Sequence, residues 1–115
     1  MEKQEGGWTL ARCVNWAFGP QQLLQVGSLV MQARVRLSFL KDVPDDDLVR
    51  KELTRLAGAI VHRADTQRWY DLGDYAGAMV RLLRTRPLDE RTFQRLESSL
   101  TSLEALVNAR MVQAA

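Results

Sequence analysis

The chain has 115 residues, 46% of them hydrophobic and 26% charged, with a formal net charge of +2 and a pI near 9.0. That is the make-up of one ordinary folded domain, and it excludes disordered, collagen-like and disulfide-stapled classes. A single cysteine, Cys13, rules out an intramolecular disulfide and leaves no CxxC partner for zinc or redox chemistry.

No basic start followed by an apolar run marks a secretory signal, so the expected location is cytoplasmic. Residues 13–33 carry no charge, yet their glutamines, Asn15, Ser28, Gly19 and Pro20 make that run unfit for hydrocarbon. A buried or partner-covered segment is expected there, and no membrane span. Thirteen arginines against three lysines is a compositional skew. It points to nucleic acid only if the charge gathers on one face.

In chain order, residues 1–7 read as a flexible polar tail, and residues 8–115 as one helical-bundle domain. Thr9 is placed to cap a short helix over 10–18, closed by Gly19. Trp8, Trp16 and Phe18 make this segment aromatic-rich and form the candidate oligomer interface. From Pro20 to Lys41, Leu23, Val26, Val30, Ala33, Leu37 and Leu40 recur at three- and four-residue steps, a helical seam. A strand pattern competes, because Met31, Ala33, Val35, Leu37 and Phe39 alternate with polar residues. The helical register spans more residues, and helix is the expectation.

Residues 44–64 form the clearest amphipathic stretch, with Leu48 or Val49, Leu53, Leu56, Ala57, Ile60, Val61 and Ala64 on one side. Arg50, Lys51, Glu52, Arg55 and Arg63 fall largely elsewhere. Pro44 suits a first helical turn, and Asp45, Asp46 and Asp47 complement the positive end of the helix dipole. A third helix is expected to begin between residues 66 and 72, with Asp65 or Asp71 as cap. It buries Trp69, Leu72, Ala76, Met79 and Leu83 and stops before Pro87. The last helix enters through Asp89 as N-cap, with Leu88 and Phe93 as a hydrophobic staple, and runs to about residue 112 along Phe93, Leu96, Leu100, Leu103 and Val107. The expected fold class is all-α: a small bundle of four main helices plus a short N-terminal one.

Chemistry-bearing patterns are sparse. His62 is the only histidine, so no His–His metal site exists within one chain. No phosphate-loop, dinucleotide, nucleophile-elbow or zinc-protease motif occurs. No cofactor, no metal and no enzymatic activity are expected. Arginine mixed with aromatics gathers in two places: Arg63, Arg68, Trp69, Tyr70 and Tyr75 near one turn, and Arg81, Arg84, Arg86, Arg91 and Arg95 around Pro87. This is the composition of protein interaction surfaces. It also suits phosphates and bases, although Asp89, Glu90 and Glu97 are interleaved and can pair with those arginines. The sequence therefore reads as a non-enzymatic interaction module binding another protein, as a homo-oligomeric subunit, adaptor or chaperone-like protein. A small nucleic-acid-associated subunit is the alternative.

Overall fold

The computed structural model describes the backbone of residues 2–85 and 88–114 and the side chains of residues 21–85 and 88–113. Four helices follow one another: α1 (Glu2–Asp42), α2 (Asp47–Thr66), α3 (Tyr70–Leu83) and α4 (Glu90–Ala114). Each packs on two others, in the cycle α1–α2–α3–α4–α1, which is an up-and-down four-helix bundle. No strand occurs among the described residues. None of the described helices is long and apolar enough to cross a membrane.

The first element departs from expectation. In place of a short helix closed at Gly19 and a second begun at Pro20, α1 runs from Glu2 to Asp42 as one helix. A Gly–Pro pair removes one backbone donor and loosens one turn, but helix-favouring sequence on both sides can carry the helix through. The tail expected at residues 1–7 and the side chains of Trp8, Trp16 and Phe18 lie outside the described side chains.

The competition between helix and strand in residues 31–40 also has an explanation. Ala33 and Leu37 belong to the buried seam of α1, whereas Met31, Val35 and Phe39 stand exposed on its outer side. The apparent two-residue alternation is the sum of two apolar faces of one helix.

The core is the expected one. Val26, Val30, Ala33, Leu37 and Leu40 of α1 meet Leu53, Leu56, Ala57, Ile60 and Ala64 of α2, Leu72, Ala76, Met79 and Leu83 of α3, and Leu96, Leu100, Leu103 and Val107 of α4. Trp69 and Val61 pack against this cluster from its edge.

Local chemistry sets the boundaries. α2 begins three residues later than expected, because Asp46 is the N-cap and its carboxylate accepts from the Leu48 and Val49 amides. Pro44 and Asp45 form the turn before it. α2 ends in a complete Schellman arrangement. The Trp69 amide donates to the Ala64 carbonyl at 2.8 Å, the Arg68 amide donates to that of Asp65 at 3.1 Å, and Arg68 sits in the left-handed region at φ 61°. α4 opens as expected: Asp89 accepts from the Thr92 amide and hydroxyl, and Leu88 and Phe93 are both buried beside it.

One core residue was not expected. Arg50 falls on the inward side of α2, is only 9% exposed, and donates to the Leu83 carbonyl at 3.0 Å and the Thr85 carbonyl at 3.4 Å. It supplies to the end of α3 the donors that the last carbonyls of a helix lack. Its Nε has no partner among the described residues.

Candidate interaction surfaces

In heptad terms, the seam of α1 occupies positions a and d, so Gln22, Leu29 and Arg36 point toward α2 while Gly27, Arg34 and Lys41 point toward α4. Those flanks carry the polar contacts between helices. Arg36 pairs with Glu52 at 3.0 Å, and Arg63 donates to Gln22 and Gln25. Toward α4, Arg34 binds Glu104 through two bonds of 3.0 and 2.7 Å and also reaches Thr101, while Lys41 pairs with Glu97 at 3.2 Å. The bond to Glu104 holds the Arg34 guanidinium above its ordinary pKa; burial opposes this, and the charges of Glu104 and Glu97 add to it.

The two arginine and aromatic patches occupy opposite ends of the bundle. The first lies at the α2–α3 turn. There Arg63 is occupied by the α1 glutamines, Arg68 caps α2 with its side chain exposed, and Trp69 is half-buried. Tyr70 is 64% exposed and Tyr75 lies exposed one turn further on.

The organising residue of this corner escaped sequence reading. Arg110, from α4, grips Asp71 with two bonds of 3.0 and 2.9 Å and places its guanidinium carbon 6.0 Å from the Trp69 ring centre. Burial by itself would raise the Asp71 carboxyl. The Arg110 hydrogen bonds, the Leu72 amide and the Arg110 charge outweigh it, and the net shift is downward.

At the other end, Arg81, Arg84, Arg91 and Arg95 are exposed and make no ion pair among the described residues. Arg86 lies outside the described residues. Two of the three acids expected to neutralise this corner have partners elsewhere. Glu97 pairs with Lys41, and Asp89 serves as N-cap, its carboxyl held low by the Thr92 amide and hydroxyl and, as a smaller effect, by the charge of Arg91. The interleaving seen along the chain does not become pairing in space, because successive residues of α4 face different neighbours. Arg81 and Arg95 border a groove of about 440 Å³ between α3 and α4, together with Thr85, Ser98 and Ser99.

The surface that sequence reading did not single out is the outer side of α1. Leu24, Met31, Val35 and Phe39 are 59, 69, 51 and 55% exposed. Their spacing places them on one stripe, running beside the α1–α4 groove. Two hollows lie along that groove, one of about 480 Å³ over Gly27 and Ser28 and one of about 580 Å³ beside Val35 and Phe39. The Arg34–Glu104 pair stands between them. The signal was present in the strand-like alternation of residues 31–39, which registered a second apolar face of α1.

His62 is exposed just before the last turn of α2, and its side chain has no partner among the described residues. No group of three or more His, Cys, Asp or Glu residues gathers among the described residues to hold a metal ion. No protein-family model, curated protein or solved structure matches the chain.

Proposed function

We propose that this chain is a non-enzymatic helical interaction module, a small cytoplasmic subunit that associates with itself and works by binding protein. The observation that carries this reading is the exposed stripe of Leu24, Met31, Val35 and Phe39. Four large apolar side chains with half or more of their surface in water present on the order of 400–500 Å², taking ~200 Å² for each when fully exposed. That lies within the range of the largest patch on a typical soluble monomer, a patch that is often functional.

The test is light scattering on a sizing column, read together with circular dichroism to confirm that the bundle is intact. Self-association at tens of micromolar, on the order where modest interfaces form, is the expected result. A monomer at that concentration counts against the homo-oligomeric part of the reading.

A second reading draws on the unpaired arginines. Arg81, Arg84, Arg91 and Arg95 are exposed towards one end and make no ion pair among the described residues, which suits phosphate contacts, with the Asp89 charge close enough to Arg91 to offset part of the field. Fluorescence anisotropy with a labelled oligonucleotide at two salt concentrations separates the two. Weak binding that vanishes near physiological salt fits the protein-interaction reading. Sub-micromolar binding that survives there, and is lost when Arg84 and Arg91 are reversed in charge, promotes the nucleic-acid reading.

A further inference from the structure

We infer that the groove between α3 and α4 at Arg81 and Arg95 is the docking site for an acidic segment of a partner protein, one that carries an aliphatic side chain between its carboxylates. The inference rests on the protein-interaction reading above and gives it a second surface, separate from the stripe on α1.

The groove differs in charge from the helix seams around it. Where α1 meets α2, Arg36 answers Glu52; where α1 meets α4, Arg34 answers Glu104 and Lys41 answers Glu97; at the far end of the α3–α4 seam, Arg110 answers Asp71. At the near end of that seam the two walls carry the same sign. Arg81 from α3 and Arg95 from α4 are both exposed and line one hollow of about 440 Å³, and no carboxylate lines it. Two guanidinium groups on one hollow repel each other, and an anion laid between them relieves that repulsion. The acids nearest in sequence do not fill this place. Glu97 pairs with Lys41, the Asp89 carboxylate caps α4, and Glu90 stands exposed in the first turn of α4 outside the groove.

The hollow also offers neutral donors. The hydroxyls of Ser98 and Ser99 line it and make no hydrogen bond among the described residues, whereas Thr85 donates its own to the Leu82 carbonyl. Guanidinium groups donate only, and free hydroxyls can donate beside them, so the hollow as a whole is short of acceptors.

The floor decides which anion suits the groove. It contains the half-buried Ala78 and Leu82. An acidic protein segment can set a leucine or valine on that floor while its carboxylates reach the arginines of both walls, the apolar centre and polar rim of an ordinary interface. A nucleic-acid backbone brings charge for the walls and little to cover an aliphatic floor, and no aromatic side chain lines the groove to stack a base. Arg84 and Arg91, exposed outside the hollow, add to the positive field, with the Asp89 charge offsetting part of the share of Arg91.

The experiment screens a random peptide library displayed on phage against the full chain at physiological salt. Chains carrying Arg81→Glu with Arg95→Glu, or Met31→Glu alone, serve as counter-screens, and circular dichroism confirms that each is folded. All three positions are exposed, so neither variant empties a core site. Enriched peptides are expected to carry Asp or Glu on both sides of an aliphatic residue. They should bind the parent and the Met31→Glu chain alike, and bind the double reversal about thirtyfold or more weakly, the loss typical of hot-spot residues. Exchanging the aliphatic residue of such a peptide for glycine should weaken binding about tenfold, from roughly half the burial of one aliphatic side chain.

Peptides enriched without acidic residues, or bound equally by the double reversal, overturn the inference. Binding lost in Met31→Glu and kept in the double reversal moves docking to the stripe on α1, which overturns the groove and leaves the protein-interaction reading standing. An absence of peptide binders also overturns the groove, and light scattering then decides the protein-interaction reading by itself. If in that case a labelled oligonucleotide binds at physiological salt and is lost in the double reversal, the groove belongs to nucleic acid and both readings fall.

Discussion

Replacing Arg68 with glycine should stabilise the bundle, although Arg68 lies in one of the arginine-rich candidate patches. Its φ of 61° puts an L side chain in the left-handed region, where Cβ crowds the following carbonyl at a cost of about 1–2 kcal/mol. The position is forced on it. Both backbone bonds that close α2, from Trp69 to Ala64 at 2.8 Å and from Arg68 to Asp65 at 3.1 Å, require the chain to reverse hand there. The Arg68 side chain is exposed and makes no hydrogen bond or ion pair among the described residues, so its loss removes nothing from the fold. Glycine takes the conformation freely but adds freedom to the unfolded chain, an offset of about 0.5–1 kcal/mol. The net expectation is a gain of about 0.5–1 kcal/mol, seen as a melting temperature raised by roughly 2–5 °C and a higher urea midpoint with unchanged slope. Arg68→Val should move both in the opposite direction, because a β-branched side chain tolerates positive φ poorly. Equal stability of the glycine and arginine proteins would refute the reasoning, since it would mean that the strain at Arg68 does not exceed the entropic offset of about 0.5–1 kcal/mol.

Four further outcomes are expected. Leu53→Ala and Leu100→Ala, both fully buried, should each cost about 2–5 kcal/mol in denaturant melts; losses under about 1 kcal/mol would place them on the surface. Gly58 lies exposed in mid-helix with nothing within 4 Å of an added Cβ, so Gly58→Ala should gain about 0.5–1 kcal/mol by thermal unfolding. Asp46→Ala removes the carboxylate that caps α2 and should cost about 1 kcal/mol in the same assay. The carboxyls of Asp71 and Asp89 have folded pKa values below their ordinary ones. Their contribution is therefore complete above the unfolded carboxylate pKa of about 4 and is lost as pH falls through the depressed folded values. Acid titration of stability should steepen below about pH 4, and Asp71→Asn should flatten part of that slope; an unchanged profile would mean that the Arg110 grip is absent in solution.

Helix periodicity made the fold legible before any coordinates. On α2, α3 and α4 one face is apolar and the other charged, so the three- and four-residue steps named Leu53, Leu56, Ile60, Leu72, Met79, Leu100 and Leu103 as core without ambiguity. Caps were legible because they are local. Asp89 with its Leu88 and Phe93 staple needs only the six consecutive residues from Leu88 to Phe93 to be recognised. The entry to α2 was three residues early, because an aspartate triplet after a proline offers several adjacent caps and only backbone geometry chooses among them.

What sequence alone could not decide was which helix faces meet. Residues 23–40 of α1 are apolar on two sides; spacing named the Leu23–Leu40 seam as the buried one, but that Leu24, Met31, Val35 and Phe39 stay uncovered shows only in the packed bundle. Arg50 and Arg110 look like surface charges in the chain, yet one is sealed under the end of α3 and the other joins α4 to Asp71 and Trp69. Glu97 sits among arginines in sequence and answers Lys41 in space. Periodicity tells which residues share a side of a helix, because that is fixed by 3.6 residues per turn; partners across helices follow from the order in which four helices close their cycle, which is a property of the packed chain.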